Sequence, residues 1–114
     1  MKSVLLDTNF ILTCMKQKID LFEYLELEGY KILIPEKVIG ELERLKKESA
    51  LRLLKKEEEK FHKISIPGKN VDNSIINFAK KNPEIVIATL DREIRKKIRN
   101  PKMSVRNKKK LEIM

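Results

Sequence analysis

Ile85-Val86-Ile87-Ala88-Thr89-Leu90-Asp91 decides the fold. Its first four residues are all apolar and mostly β-branched, with no polar side chain left to face water. Such a run suits a central strand of a parallel sheet, covered on both faces. Just past it stands Asp91, which opens a helix carrying Ile94 and Ile98 on its inner side. Ser3-Val4-Leu5-Leu6 repeats the pattern: a buried strand, then Asp7, then a short helical stretch from Asn9 to Met15.

The same alternation continues along the chain. Asp20 with Glu23 makes an N-cap and an acid three positions on, opening a helix that holds Leu21, Leu25 and Glu28 and ends at Gly29. Lys31-Ile32-Leu33-Ile34 is a second strand, stopped by Pro35. Pro35 leads into a helix with Val38, Leu42, Leu45 and Ser49 on one face, and a second charged helix runs from Ala50 to Phe61. Lys63 to Ile66 is a short third strand, and Pro67-Gly68 is the turn after it. Asp72 opens a helix with Ile75, Ile76 and Ala79 inside, and Met103 to Val105 reads as an edge strand. Strands alternating with helices predict one three-layer α/β domain over residues 1–114, with a mostly parallel sheet. Gly40 sits inside a helix, where it weakens the helix without an evident return.

The composition limits the chemistry. At 41% hydrophobic the chain supports a packed core, so disorder throughout is not expected. No apolar run reaches the roughly 18 residues of a membrane span, and Met1-Lys2 leads directly into a strand, so a cytoplasmic protein is expected. Cys14 is the one cysteine and reads as a buried small hydrophobe; it has no second cysteine with which to form a disulfide. His62 is the one histidine, which excludes an ordinary structural zinc site. The three glycines make no phosphate-binding loop. What remains is carboxylate chemistry.

The net charge of +9 is concentrated at one end. Residues 1–91 hold 16 basic and 15 acidic side chains, whereas residues 92–114 hold 10 basic and 2 acidic. A one-signed end suits a polyanion, nucleic acid being the common case, and otherwise reads as a solvated helix face and tail; Arg92, Arg95, Lys96, Arg99, Lys108, Lys109 and Lys110 are the candidate nucleic-acid-binding residues. Aromatic residues make up only 5%, so bases are not expected to stack on a platform.

Four aspartates stand against 13 glutamates, and every aspartate lies at an element boundary. Asp20 is explained as a cap. Asp7 and Asp91 follow strands one and four, and ligands of open α/β sheets bind outside such carboxyl ends, where the strand order reverses. With those strands as neighbours, the two aspartates face each other across the crevice. Glu41, at the margin of a buried helical stripe, and Asp72, leaning toward the core side of its helix, can join them. Singly, each acid reads as a cap or a solvated residue. As a set they repel one another unless a cation neutralises them, and an all-oxygen set suits Mg²⁺ or Mn²⁺. Such an ion activates a water and stabilises charge on a phosphoryl oxygen.

Four blocks of the chain resemble the PIN-domain ribonucleases: Leu5-Leu6-Asp7-Thr8-Asn9, Ile34-Pro35-Glu36-Lys37-Val38-Ile39-Gly40-Glu41-Leu42, Val71-Asp72-Asn73-Ser74-Ile75-Ile76-Asn77-Phe78-Ala79, and Ala88-Thr89-Leu90-Asp91-Arg92-Glu93-Ile94. They follow the family's order and spacing from about Ser3 to Val105. The resemblance implies a sheet of order 3-2-1-4-5 flanked by helices and metal-dependent endonucleolytic hydrolysis of RNA. It assigns Asp7, Glu41, Asp72 and Asp91 as catalytic and metal-binding acids, with Thr8, Asn9 and Thr89 orienting them. Where some members carry a further acid after the third, this chain has Asn73. The resemblance is to the archaeal single-domain branch related to ribosomal RNA-processing endonucleases, or else to the toxin branch of toxin–antitoxin pairs. A non-catalytic RNA-binding module is the alternative. Expected partners are RNA and, depending on the branch, an antitoxin or a ribosome-assembly protein, with a homodimer left open.

Overall fold

The computed structural model describes residues 2–106 and 110–113, apart from the side chains of Arg106 and Lys110. Its strands are β1 (Lys2–Leu6), β2 (Tyr30–Pro35), β3 (Phe61–Ile64), β4 (Val86–Ala88), β5 (Lys102–Arg106) and β6 (Lys110–Ile113). Its helices are α1 (Thr8–Lys16), α2 (Leu21–Leu27), α3 (Glu36–Arg44), α4 (Glu48–Lys56), α5 (Val71–Lys81) and α6 (Arg92–Lys97). The strands form one sheet of order β3-β2-β1-β4-β5-β6, parallel except for the β5–β6 pair. The order reverses at β1 and β4, which pair directly, Leu6 opposite Ala88.

Alternation along β1 divides the core into two layers. Val4 and Leu6 face one side, with Phe10 and Ile11 of α1, Leu25 of α2, Leu42 of α3 and Leu54 of α4. Leu5 faces the other, with Ile75 and Ala79 of α5 and Ile94 of α6. The three-layer α/β arrangement and its order are therefore as expected, with one strand more.

That extra strand corrects the assignment of residues 103–105 as an edge. β5 lies between β4 and β6, and β6 closes that side, Val105 opposite Leu111. A short antiparallel return carries no long apolar run to announce it.

The helix ending at Arg44 is a second correction. Leu45 and Ser49 are exposed and do not continue the Val38–Leu42 face. Lys46 takes φ 56°, its N–H bonds to Glu43 O, and Lys47 N–H bonds to Leu42 O. This is a Schellman stop with lysine in the position usually held by glycine. α1 ends the same way at Lys18, φ 58°. Without a glycine, neither stop shows in the sequence. α4 is likewise shorter than expected: a 3₁₀ turn at Glu58–Lys60 follows it, and β3 begins at Phe61 rather than Lys63. Phe61 packs against Phe22, ring centroids 5.9 Å apart, which fixes where the strand starts.

α5 begins at Val71, one residue ahead of Asp72, because Asn70 is its cap: Asn73 N–H donates to Asn70 Oδ1 at 2.9 Å. Among the described residues no helix is long and apolar enough to cross a membrane.

Candidate active site

β1 and β4 deliver Asp7 and Thr89 side by side. Asp7 N–H donates to Ala88 O at 3.0 Å, carrying the β1–β4 pairing one residue past the strand. The Asp7 carboxylate is only 4% exposed, and both oxygens are engaged. Oδ1 accepts from Thr8 N–H at 2.8 Å, capping α1, and Oδ2 accepts from the Thr89 hydroxyl at 2.7 Å. Thr89 Oγ1 in turn accepts from Asp91 N–H at 3.1 Å. Thr89 thus joins the two aspartates that were expected to face one another.

Asp91 is half-buried and caps α6, its Oδ1 accepting from Glu93 N–H at 2.8 Å and Ile94 N–H at 3.3 Å. Arg95, one turn on, donates from Nη1 to Thr89 O at 2.8 Å. This residue of the predicted RNA-binding set therefore also braces the turn between the two aspartates. Arg92, Lys96 and Arg99 are exposed. Lys108 and Lys109 lie outside the described residues, and Lys110 is described only as backbone in β6.

Glu41 is half-buried on α3 and pairs with Arg44 at 3.5 Å. Asp72 is exposed in the first turn of α5, rather than leaning into the core as its spacing suggested. Electrostatics nevertheless link all four acids. Burial pushes the Asp7 carboxyl above its ordinary range, the hydrogen bonds from Thr89 and Thr8 oppose this, and the charges of Asp72 and Glu41 push it further. Asp72 is raised by desolvation first, then by Asp91 and Glu41.

The Thr8 hydroxyl, beside Asp7, is buried without a hydrogen-bond partner among the described residues. An orphaned hydroxyl next to crowded carboxylates fits a site that takes up a hydrated cation. The donors are all oxygen, which suits a hard dication. No three acids among the described residues are gathered closely enough to enclose an ion unaided. Asn9 is exposed on α1, two residues past Asp7. Sequence reasoning did not single out Lys37, Arg44 or Lys69, which gather around Glu41. The signal available was the spacing of Lys37 and Glu41, four residues apart on one helical face.

A family described as PIN like domain matches residues 4–109. The chain belongs to that family. This PIN-like domain is 32% identical, over a gapped alignment 129 positions long, to ribonuclease VapC4 of Methanocaldococcus jannaschii, covering 99% of this chain and 97% of that one. It is 36% identical over 117 residues to the rRNA-processing protein fcf1 of Schizosaccharomyces pombe, covering 93% of this chain but only 60% of the yeast protein. Its fold superimposes on the structure of the PIN domain endonuclease Utp24 with a TM-score of 0.83 and 33% identity, over 97% of this chain and 90% of the other.

Proposed function

We propose that this PIN-like domain is a Mg²⁺- or Mn²⁺-dependent endoribonuclease that hydrolyses RNA phosphodiester bonds. The observation that carries this is the buried Asp7 carboxylate at the β1–β4 reversal, joined to Asp91 through Thr89, with the charges of Asp72 and Glu41 adding to the effect of burial on it. Asp7 and Asp91 are the principal ligands in this account, with Glu41 and Asp72 completing the coordination directly or through water. A dication bound there supplies an acidified water and neutralises charge developing on a phosphoryl oxygen. Thr89 holds Asp7 Oδ2 and the Asp91 backbone in one register, and Arg95 holds Thr89. Thr8 orients Asp7 through its backbone N–H to Oδ1, and Asn9 stands exposed in the first turn of α1, within reach of the same acids in this account.

Ribosomal RNA processing is the role supported by likeness to the fission-yeast protein, and a toxin restrained by an antitoxin is the role supported by likeness to VapC4. In either role the proposed partner is RNA, acted on by one PIN-like domain over residues 1–114 in the cytoplasm. End-labelled RNA incubated with the protein tests the proposal. Cleavage in Mg²⁺ or Mn²⁺ and none in EDTA is expected. RNA binding without metal-stimulated cleavage would instead support a non-catalytic module that kept the pocket.

A further inference from the structure

A cleft of about 400 Å³ opens between α3 and the start of α5, lined by Lys37, Gly40, Glu41, Arg44, Lys69 and Asn70. Three of these are cations, and the one acid, Glu41, belongs to the candidate active-site set, so the cleft shares that residue with the site. Lys37 is fixed in place: its Nζ donates to Gly68 O and to Ser74 Oγ, leaving one of its three N–H groups uncommitted by these two bonds. Arg44 meets Glu41 through a single nitrogen, and its side chain is 69% exposed. Lys69 is exposed and forms no ion pair among the described residues.

Gly40 supplies an independent clue. It weakens α3 by lying in its interior. Its φ is not positive, and a Cβ there would meet nothing within 4 Å, so neither backbone conformation nor packing requires glycine. Its effect is to leave the α3 backbone bare in the cleft, where a ribose-phosphate chain can lie close.

We propose that this cleft binds an RNA backbone phosphate adjoining the one that is cut, on the β2–β3 side of the acids. A cation has no place among Lys37, Arg44 and Lys69. Arg92 and Lys96 are exposed on α6, which follows β4, across the β1–β4 reversal from the cleft at α3, and the proposed strand runs between the two. The strand is then held on both sides of the acids, as cutting within a chain requires. The proposal rests on the nuclease reading above.

The test uses full-length protein in a cleavage-dead Asp7→Asn background, titrated with a fluorescein-labelled oligouridylate across a salt series. Removing one cation that neutralises a phosphate of a single strand lowers the slope of log K against log salt by about 0.7. Lys69→Gln and Arg44→Gln should each show that decrease with an unchanged melting temperature. Gly40→Leu should weaken binding by bulk alone, with the salt slope retained and the melting temperature raised. Unchanged affinity and slope in all three would overturn the cleft while leaving the nuclease reading intact, provided the parent binds the RNA and the wild type cuts it. A parent that binds no oligouridylate would overturn the cleft, and a wild type that cuts no RNA in Mn²⁺ would overturn the nuclease reading. Binding of an oligoglutamate with the same dependence on Lys69 and Arg44 would overturn the assignment to a ribose-phosphate strand.

Discussion

At Asp7, burial and the charges of Asp72 and Glu41 outweigh the hydrogen bonds from Thr89 and Thr8, so the carboxyl holds its proton to a higher pH than in the unfolded chain. The native state therefore binds more protons than the unfolded state from about 3.8 up to the raised value, and stability falls as pH rises through that window. Above it the cost stays constant. Asn at position 7 removes the charge yet keeps an oxygen to cap α1 and an amide to face Thr89 Oγ1. In EDTA, Asp7→Asn should be more stable than wild type at neutral pH, by about 1.4 kcal/mol per pKa unit of upshift relieved. The difference should shrink as pH falls through the window. Mn²⁺ should raise the melting temperature of wild type more than that of the variant. Thermal melts over a pH series check this; a variant that melts lower in EDTA at neutral pH would make Asp7 a structural cap.

At the scale of elements, the site depends on how β3 is joined to α5. Gly68 has φ 148°, and a Cβ there would collide with Ser74 Cα, N and Oγ. Lys37 ties this loop to α3 through Gly68 O and the buried Ser74 hydroxyl. Gly68→Ala should cost about 2 kcal/mol in chemical denaturation. Lys37→Met strands the Ser74 hydroxyl and should cost about 1 to 2 kcal/mol, with a larger loss of RNA cleavage than stability alone explains. A Lys37→Met protein with wild-type stability would mean that the tie contributes nothing to the fold. This loop also marks the limit of what the sequence disclosed. Strong local patterns came through: the β-branched run at 85–88, the Asp20 and Asp91 caps, and the acids placed at strand ends. The extent of α3, the start of β3 and the existence of β6 did not, because lysines take the left-handed stops, Phe22 positions Phe61, and an antiparallel return needs few apolar residues. In the candidate site, the placement of Asp7 and Asp91 beside the paired ends of β1 and β4 was legible from position, whereas the exposure of Asp72 was not. The braces on Thr89 from Arg95, and Lys37 on Ser74, were not, since long cationic side chains look alike until something holds them.

Across the whole molecule, four acids are electrostatically linked at the candidate site, and the excess positive charge lies in residues 92–114. Apart from Arg95, which braces Thr89, the positive charge of residues 92–114 is proposed to bind an RNA backbone. Changing Lys108, Lys109 and Lys110 to Gln should weaken RNA binding and reduce its salt slope by about 0.7 for each phosphate no longer neutralised, with the melting temperature and metal requirement retained. An unchanged slope would make this end a solvated surface or a protein-docking site. The central claim is that Asp7 and Asp91 hold a dication that cuts RNA. It is tested most directly by comparing Mn²⁺-dependent cleavage of labelled RNA by wild type, Asp7→Asn and Asp91→Asn. Asparagine caps α1 and α6 as aspartate does, so both variants should stay folded. Each should lose cleavage by about a hundredfold or more. Metal-stimulated cleavage that survives in both folded variants would contradict the account.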